Sequence, residues 1–390
     1  MSQHDYNIAN GGGAAVRADL NLALAAILSQ NSGATAPTTT SPFMLWYDTV
    51  AGALKMRNAA NTAWVAAIDG ITGGNPQGMK NRIINGAMVI DQRNAGASVT
   101  PTAGAFLTDR WAFYVSQASK FTAQQNAGAV TLPAGFSNYA GITSSSAYSV
   151  TATDQFTLYQ KVEGFNFADM AWGTASAATI TLSFKVYSSL TGTFGGSLQN
   201  SASNRCYPFS YSVPVANTWT TVSVTIAGDT TGTWIGGTNG VGVHVIFSLG
   251  SGSTYSATAG AWTGSNYITS ATGATSVVGT SGATFYITGV QLEKGSTATA
   301  FDYRPYGTEL ALCQRYFEVL PTGGAGLYGS NANLSYVSWQ YKVTKRASPT
   351  ISLAASSSIT AFDYANEWGC NGYSNPYSLI RGGTTASAEL

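Results

Sequence analysis

Between Asn81 and about Tyr306 the chain repeats with a period of two. Phe156, Leu158 and Val162 alternate with Thr157, Tyr159 and Lys161, and Ile180, Leu182, Phe184 and Val186 alternate with Thr181, Ser183 and Lys185. Val222, Val224 and Ile226 follow Trp219, while Val241, Val243, Val245 and Phe247 surround Gly242 and His244. One apolar and one polar face per segment is the pattern of strands half-buried on a sheet. Turn-rich loops separate these runs, and no long helical pattern interrupts them. The pattern predicts an antiparallel sandwich of jelly-roll type.

The flanks read differently. Ala14 to Ser29 is rich in Ala and Leu, the best helix formers. Val16, Leu20, Leu24, Ile27 and Leu28 recur at spacings of three and four, giving one apolar stripe closed by Asn31-Ser32-Gly33. A lone helix of about four turns is marginal, so these five residues are expected to bury against another copy or another protein. Pro37 to Pro42 is a Thr-rich linker, and short strands are expected at Leu45-Trp46-Tyr47, Leu54-Lys55-Met56 and Ala63-Trp64-Val65. Gly73-Gly74-Asn75-Pro76 marks a boundary. At the other end, Thr308 to Leu320 is expected to be helical. A last β unit follows, with Val337, Trp339, Tyr341 and Val343 on one strand face and Ile351 and Leu353 on the next. That tail is small for an independent core and is expected to lean on the sandwich or on its own copies. The fold class is mainly β in three parts. Residues 1–75 form an N-terminal helix with short strands, 81–306 the central jelly roll, and 307–390 a small C-terminal β domain preceded by a helix.

Length suits more than one domain, since the chain has 390 residues. Composition narrows the function. Charged residues are 9% of the chain, against roughly 25% in typical soluble proteins. Eighteen basic and 17 acidic residues leave a net charge of +1, so the basic surplus that grips nucleic acid is missing. No apolar run reaches the roughly 18 residues of a membrane-spanning helix, and no membrane insertion is expected. The opening Met1-Ser-Gln-His-Asp-Tyr-Asn has neither the basic region nor the apolar stretch of a signal peptide. Cys206, Cys313 and Cys370 lie far apart without metal spacing and read as buried thiols. With His4 and His244 as the only histidines, no cofactor or metal site is expected. Aromatics at 12% exclude a disordered chain.

Catalysis finds little support. Glycoside hydrolysis needs two carboxylates roughly 5–10 Å apart; Asp363 and Glu367 have helical spacing, but Asn366, Gly369 and Gly372 argue for a loop there. Asp229, in Gly-Asp-Thr-Thr-Gly, reads as a turn residue bonding its own backbone. His244 lies on the wet face of its strand, without a Ser or Cys partner motif. Asp109-Arg110-Trp111 reads as a structural Trp beside an ion pair. Gly11-Gly12-Gly13 lacks the Lys of a phosphate loop.

Loop aromatics carry more information. An aromatic ring flanked by Asn, Ser or Thr suits the flat C–H face and hydroxyl rim of a sugar. Trp234, Tyr255, Trp262 and Tyr267 fall in Gly/Ser/Thr-rich loops near Asn239 and Asn266, and Trp172 falls in another loop. Trp368, Tyr373 and Tyr377 cluster with Asn371 and Asn375 near the C-terminus, in a stretch expected to be an exposed loop. Trp234, Trp262, Tyr267, Trp368, Tyr373 and Tyr377 are therefore the candidate glycan-contacting residues. The competing reading is that each Trp plugs an end of the sandwich or an interface.

Several stretches resemble bacteriophage tail-fibre and receptor-binding proteins. His4-Asp-Tyr-Asn-Ile-Ala-Asn, Arg17-Ala-Asp-Leu-Asn, Asn31-Ser-Gly-Ala-Thr and Leu54-Lys-Met-Arg-Asn-Ala-Ala-Asn-Thr-Ala-Trp64 resemble their N-terminal module. Asn81-Arg-Ile-Ile-Asn-Gly-Ala-Met and Asp109-Arg-Trp111 resemble the opening of their large β domain. Gly228-Asp-Thr-Thr-Gly-Thr-Trp234 and Phe285-Tyr-Ile-Thr-Gly-Val-Gln-Leu-Glu-Lys-Gly295 resemble its later strands, and similar strands close carbohydrate-binding-module jelly rolls. Glu309 to Glu318 and Lys345-Arg346-Ala-Ser-Pro349 resemble the C-terminal region of those fibres. The resemblance spans nearly the whole chain in consistent order. It implies a homotrimeric virion appendage that recognises the host surface. The chain is expected to join other virion proteins through its N-terminal segment and, on its loop aromatics, to bind a host-surface glycan by avidity. A purely structural virion component and a polysaccharide-degrading spike are the alternatives. The long parallel-helix repeats of such spikes are absent from the sequence.

Overall fold

A computed structural model describes residues 3–50, 52–66, 79–320, 325–327, 335–354, 361–374 and 383–390. The chain forms two compact units, Met1–Lys80 and Asn81–Leu390. The Gly73-Gly74-Asn75-Pro76 boundary lies outside the described residues.

In the first unit, helix α1 (Gly13–Leu28) precedes a meander of β1 (Leu45–Asp48), β2 (Ala53–Arg57) and β3 (Trp64–Ala66). The helix closes as its Asn signal predicts. Asn31 is left-handed (φ 53°) and donates its N–H back to Ala26 O at 2.8 Å, a carbonyl that also accepts the Ser29 hydroxyl at 3.2 Å. Trp46 is buried beneath Lys55 and packs edge-on to Trp64, 5.3 Å away. The buried residues of α1 are its alanines, Ala23 and Ala26. Of the predicted stripe, Val16 is half-buried, whereas Leu20, Leu24, Ile27 and Leu28 are 47%, 55%, 56% and 86% exposed.

The second unit is an antiparallel jelly-roll sandwich. Its strands are β4 (Phe106–Thr108), β5 (Trp111–Val115), β6 (Phe121–Gln125), β7 (Ala140–Ser144), β8 (Gln155–Glu163), β9 (Ile180–Ser188), β10 (Gly192–Gln199), β11 (Cys206–Val213), β12 (Thr220–Ile226), β13 (Val241–Ser251) and β16 (Thr284–Lys294). A small parallel pair, β14 (Ser256–Ala257) and β15 (Ser270–Ala271), lies between the last two. One sheet runs β11-β10-β13-β8-β5-β4 and the other β12-β9-β16-β7-β6. The apolar half of each alternating strand meets between them: Phe113, Phe156, Leu158, Val245 and Phe247 from the first, Ile142, Leu182, Phe184, Phe285 and Ile287 from the second. The opposite half of the first sheet, which includes Tyr159, Lys161 and His244, faces away from the core.

The Asn81-to-Met88 stretch is a structural brace. Asn81 is buried, donating to Val290 O at 3.0 Å and accepting from the N–H groups of Ile83 and Leu292. Asn85 reaches Ile90 O and Asp109 O, and Trp111 Nε1 donates to Asn85 O. Gly86 is required there, since a Cβ would stand 2.1 Å from Val290 O.

The C-terminal region departs from expectation twice. Helix α2 spans Tyr306–Gln314 only, and Phe317 and Glu318 belong to strand β17 (Phe317–Val319). That strand pairs with β23 (Thr385–Ser387), which also pairs with β20 (Thr350–Ser352). Its ladder and the buried Glu318–Lys345 pair (2.6 Å) outweigh local helix preference. Second, the expected distal loop contains a strand. β18 (Ala325–Leu327), β19 (Ser335–Gln340), β22 (Gly369–Ser374) and β21 (Ala361–Ala365) form a sheet in that order, with β22 paired on both sides. Gly369 serves close approach, since a Cβ there would stand 2.3 Å from Trp339 O.

This region is bolted to the sandwich. Arg315 grips Glu163, at the end of β8, through two hydrogen bonds of 2.9 and 2.6 Å, and Tyr316 donates its hydroxyl to the same carboxylate. Glu389 pairs with both Arg93 and Arg110. Cys206, Cys313 and Cys370 are buried free thiols.

Candidate functional site

The outer face of the six-stranded sheet carries a groove of about 350 Å³. Strand alternation decides what lines it. The residues of β8 that point away from the core contribute Gln155, Thr157, Tyr159 and Lys161; β13 contributes His244 and Ile246, β10 Gln199, and β5 Tyr114. Register sets the order across the floor: Gln199 pairs with His244, and His244 with Lys161. Beside them, Thr157 pairs with Tyr114. Ala103, Gly104, Ser203, Tyr267 and Thr269 form the walls.

Three tyrosines supply rings. Tyr114 and Tyr267 are 47% and 55% exposed, and Tyr159 is half-buried. Tyr267 holds a left-handed backbone (φ 57°), steadied by its N–H donating to Ser203 O at 2.8 Å. A non-glycine residue there costs on the order of 1 kcal/mol, and such strain gathers at functional sites. Gln199 is locked by donating Nε2 to Ile268 O at 2.7 Å, which pre-organises its amide.

The charge state of the floor is quiet. Burial, with a smaller contribution from Lys161, pushes the His244 pKa down to about 3, so its imidazole is neutral at ordinary pH. Its Nε2 is enclosed and has no hydrogen-bond partner among the described residues. Burial, then Arg110, lowers the pKa of Lys161, whose Nζ donates to Leu390 O at 2.9 Å. Burial raises the pKa of Tyr159, with Glu389 adding to the effect. Among the described residues, no carboxylate lines the groove. It offers rings, amides, hydroxyls, a neutral imidazole and one ammonium.

The residues singled out from sequence divide. Tyr267 is on the groove wall. Trp234 and Trp262 are not; they turn inward to an aromatic cluster closing one end of the sandwich. Trp172 lies 4.7 Å from Trp234 and 5.1 Å from Trp262, and Phe167 and Tyr207 complete the cluster. Their indole N–H groups are satisfied internally: Trp172 by Ala178 O, Trp262 by Ala227 O, and Trp234 by Asp229 and Thr231 O. Burying large rings with paired N–H groups outweighs the loops' tendency to stay in water. Asp229 bonds its own turn through Thr231 N–H and is also gripped by Arg205 at 2.6 and 2.8 Å. Burial opposes its ionisation, but the Arg205, Thr231 and Trp234 hydrogen bonds prevail and hold its pKa low. Trp368 is exposed at the turn between β21 and β22, Tyr373 is half-buried within β22, and Tyr377 lies outside the described residues. The groove residues on β5, β8, β10 and β13 are missed by a search for loop aromatics. The signal for them was the polar half of the alternation itself, where Thr157, Tyr159, Lys161 and His244 already stood.

No protein-family model matches the chain, and no curated protein matches it. Solved structures are similar in fold. A CBM4 structure shares 15% identity at a TM-score of 0.27, covering 54% of this chain and 98% of that one. The family 11 carbohydrate-binding module of the cellulosomal cellulase Lic26A-Cel5E of Clostridium thermocellum shares 10% at 0.26, covering 52% and 96%. TmCBM61 in complex with β-1,4-galactotriose shares 10% at 0.24, covering 49% and 92%. The structural neighbours are carbohydrate-binding modules of jelly-roll fold.

Proposed function

We propose that this chain is a non-enzymatic, glycan-binding adhesion subunit of a bacteriophage tail fibre or similar virion appendage. The observation that carries glycan binding is the outer-face groove: Tyr114, Tyr159 and Tyr267 for the flat sugar faces, and Gln155, Gln199 and Thr157 for hydroxyls. Binding without cleavage is supported by its lining, because glycosidic-bond hydrolysis most often uses two carboxylates and none of the described residues lining the groove carries one. The virion setting rests on the ordered tail-fibre motifs. The homotrimer rests on those motifs and on the exposed Leu20, Leu24, Ile27 and Leu28 of α1. Residues 1–75 serve as the attachment segment to other virion proteins, and the C-terminal region as the tip. Repetition over three subunits and many fibres turns a weak site into firm adhesion.

The test is binding of the purified chain to immobilised host-surface polysaccharide. Tyr114→Ala with Tyr267→Ala is expected to weaken binding about tenfold or more, since each stacked ring contributes on the order of a kcal/mol by analogy with aromatic pairs. Thermal stability should change little, because both rings are exposed. Equal binding by wild type and double variant excludes the groove as the reader, and release of reducing ends excludes a purely adhesive role.

A further inference from the structure

We infer that the chain has a second, separate site for an uncharged glycan, on the outer face of the β18-β19-β22-β21 sheet. A shallow cleft of about 290 Å³ opens there. Register builds its floor: Asn371 on β22 pairs with Ser338 on β19 and with Tyr364 on β21, placing an amide between a hydroxyl and a ring. Gln340 extends the row and is exposed. At the turn joining β21 and β22, Asn366 Oδ1 accepts the N–H groups of Trp368 and Gly369 at 2.9 and 3.0 Å. This fixes the turn and leaves the Trp368 side chain outside the packed layer. Trp368 and Tyr364 are 64% and 52% exposed, and Asn366 also hydrogen-bonds the Tyr364 hydroxyl, tying one ring to the turn. Beneath, Trp339 and Cys370 point the other way into the small core with Leu320, Tyr341 and Ala386, so the face is rigidly backed.

The chemistry selects the occupant. Among the described residues, the cleft's lining has no charged and no aliphatic side chain. A charged ligand would meet no counter-charge among those residues. Exposed rings beside fixed amides instead suit a sugar, stacking on its C–H face and hydrogen-bonding at its rim. Two sites in one chain also make each subunit bivalent, which raises effective affinity where both reach the same glycan surface.

The test uses full-length protein carrying 5-fluorotryptophan, with the Trp368 resonance identified from the Trp368→Phe variant. The probe is a panel of neutral hexose and N-acetylhexosamine tetrasaccharides at millimolar concentration. The proposal expects a saturable shift of the Trp368 signal with at least one of them, retained when Tyr114→Ala and Tyr267→Ala disable the groove. It expects Asn371→Ala to weaken that shift at least fivefold while leaving groove binding within twofold. It is overturned if no tetrasaccharide moves the Trp368 signal, or if the shift vanishes in the groove variant. A shift that follows protein concentration instead overturns it in favour of self-association. Loss of groove binding with the Trp368 response intact counts against the proposed function alone, so the two readings fail separately.

Discussion

His244 and Lys161 face each other directly across the β13–β8 ladder, and both line the groove. Two cations in that position would repel, and the pairing persists because the imidazole stays neutral. Burial, reinforced by Lys161, holds the His244 pKa at about 3.

This pair sets an acid limit on stability. In the unfolded chain a histidine takes up its proton near pH 6.5, whereas in the folded chain His244 does so only near 3. Protons therefore favour unfolding throughout that window, and stability falls as the pH falls from 6.5 towards 3. The component should reach on the order of 2 kcal/mol by pH 4.5. His244→Gln should lose it, so urea unfolding of variant and wild type should draw together, or cross, between pH 7 and 4.5. Parallel curves would show that His244 is protonated in the native state.

Asp109 carries the opposite sign. Burial raises its pKa to about 7, despite the hydrogen bond from Gln92 and the nearby Arg93. The folded chain keeps this proton between pH 3.8 and 7 while the unfolded chain has lost it. The stabilisation is complete below 3.8 and fades as the pH rises through 7. Asp109→Asn, which is neutral throughout, should gain on wild type over that rise. Denaturation midpoints at pH 4 and pH 8 provide the check, and a constant difference between the two proteins refutes the raised pKa.

Glu163 holds the C-terminal region to the sandwich. It is 1% exposed and receives Arg315 twice and Tyr316 once. Glu163→Gln should cost about 1–3 kcal/mol, because it weakens hydrogen bonds to a charged group while Arg315 keeps partial access to water. A single cooperative transition moving to lower denaturant is expected, and a loss below about 1 kcal/mol would mean the region is held mainly by apolar packing.

Assembly is testable through α1. Light scattering of the full chain should give three times the 40.4 kDa chain mass. Leu20→Ser, Leu24→Ser and Ile27→Ser together should shift it towards monomer while leaving the β signal in circular dichroism unchanged. A wild-type monomer at micromolar concentration refutes the trimer. Removal of residues 1–75 should likewise abolish incorporation into particles.

The periodicity alone determined the sandwich, because a period of two ties each side chain to one face wherever the backbone is a strand. Phe156, Leu158 and Val162 went to the core and Thr157, Tyr159 and Lys161 to the outside, as their alternation requires. Local signals also placed the first helix and its Asn31 closure, since capping depends on a few adjacent residues. Tertiary structure decided the rest. That Gln199, His244 and Lys161 form one row depends on the register of three strands distant in sequence. Trp234 and Trp262 could be sorted from Trp368 only by packing: the first two find a shared cluster and internal acceptors for their N–H groups, while Trp368 is held outward by the Asn366 turn. Local composition is similar in both settings, Gly and small polar residues around an aromatic ring. The difference lies in what the rest of the chain brings near it.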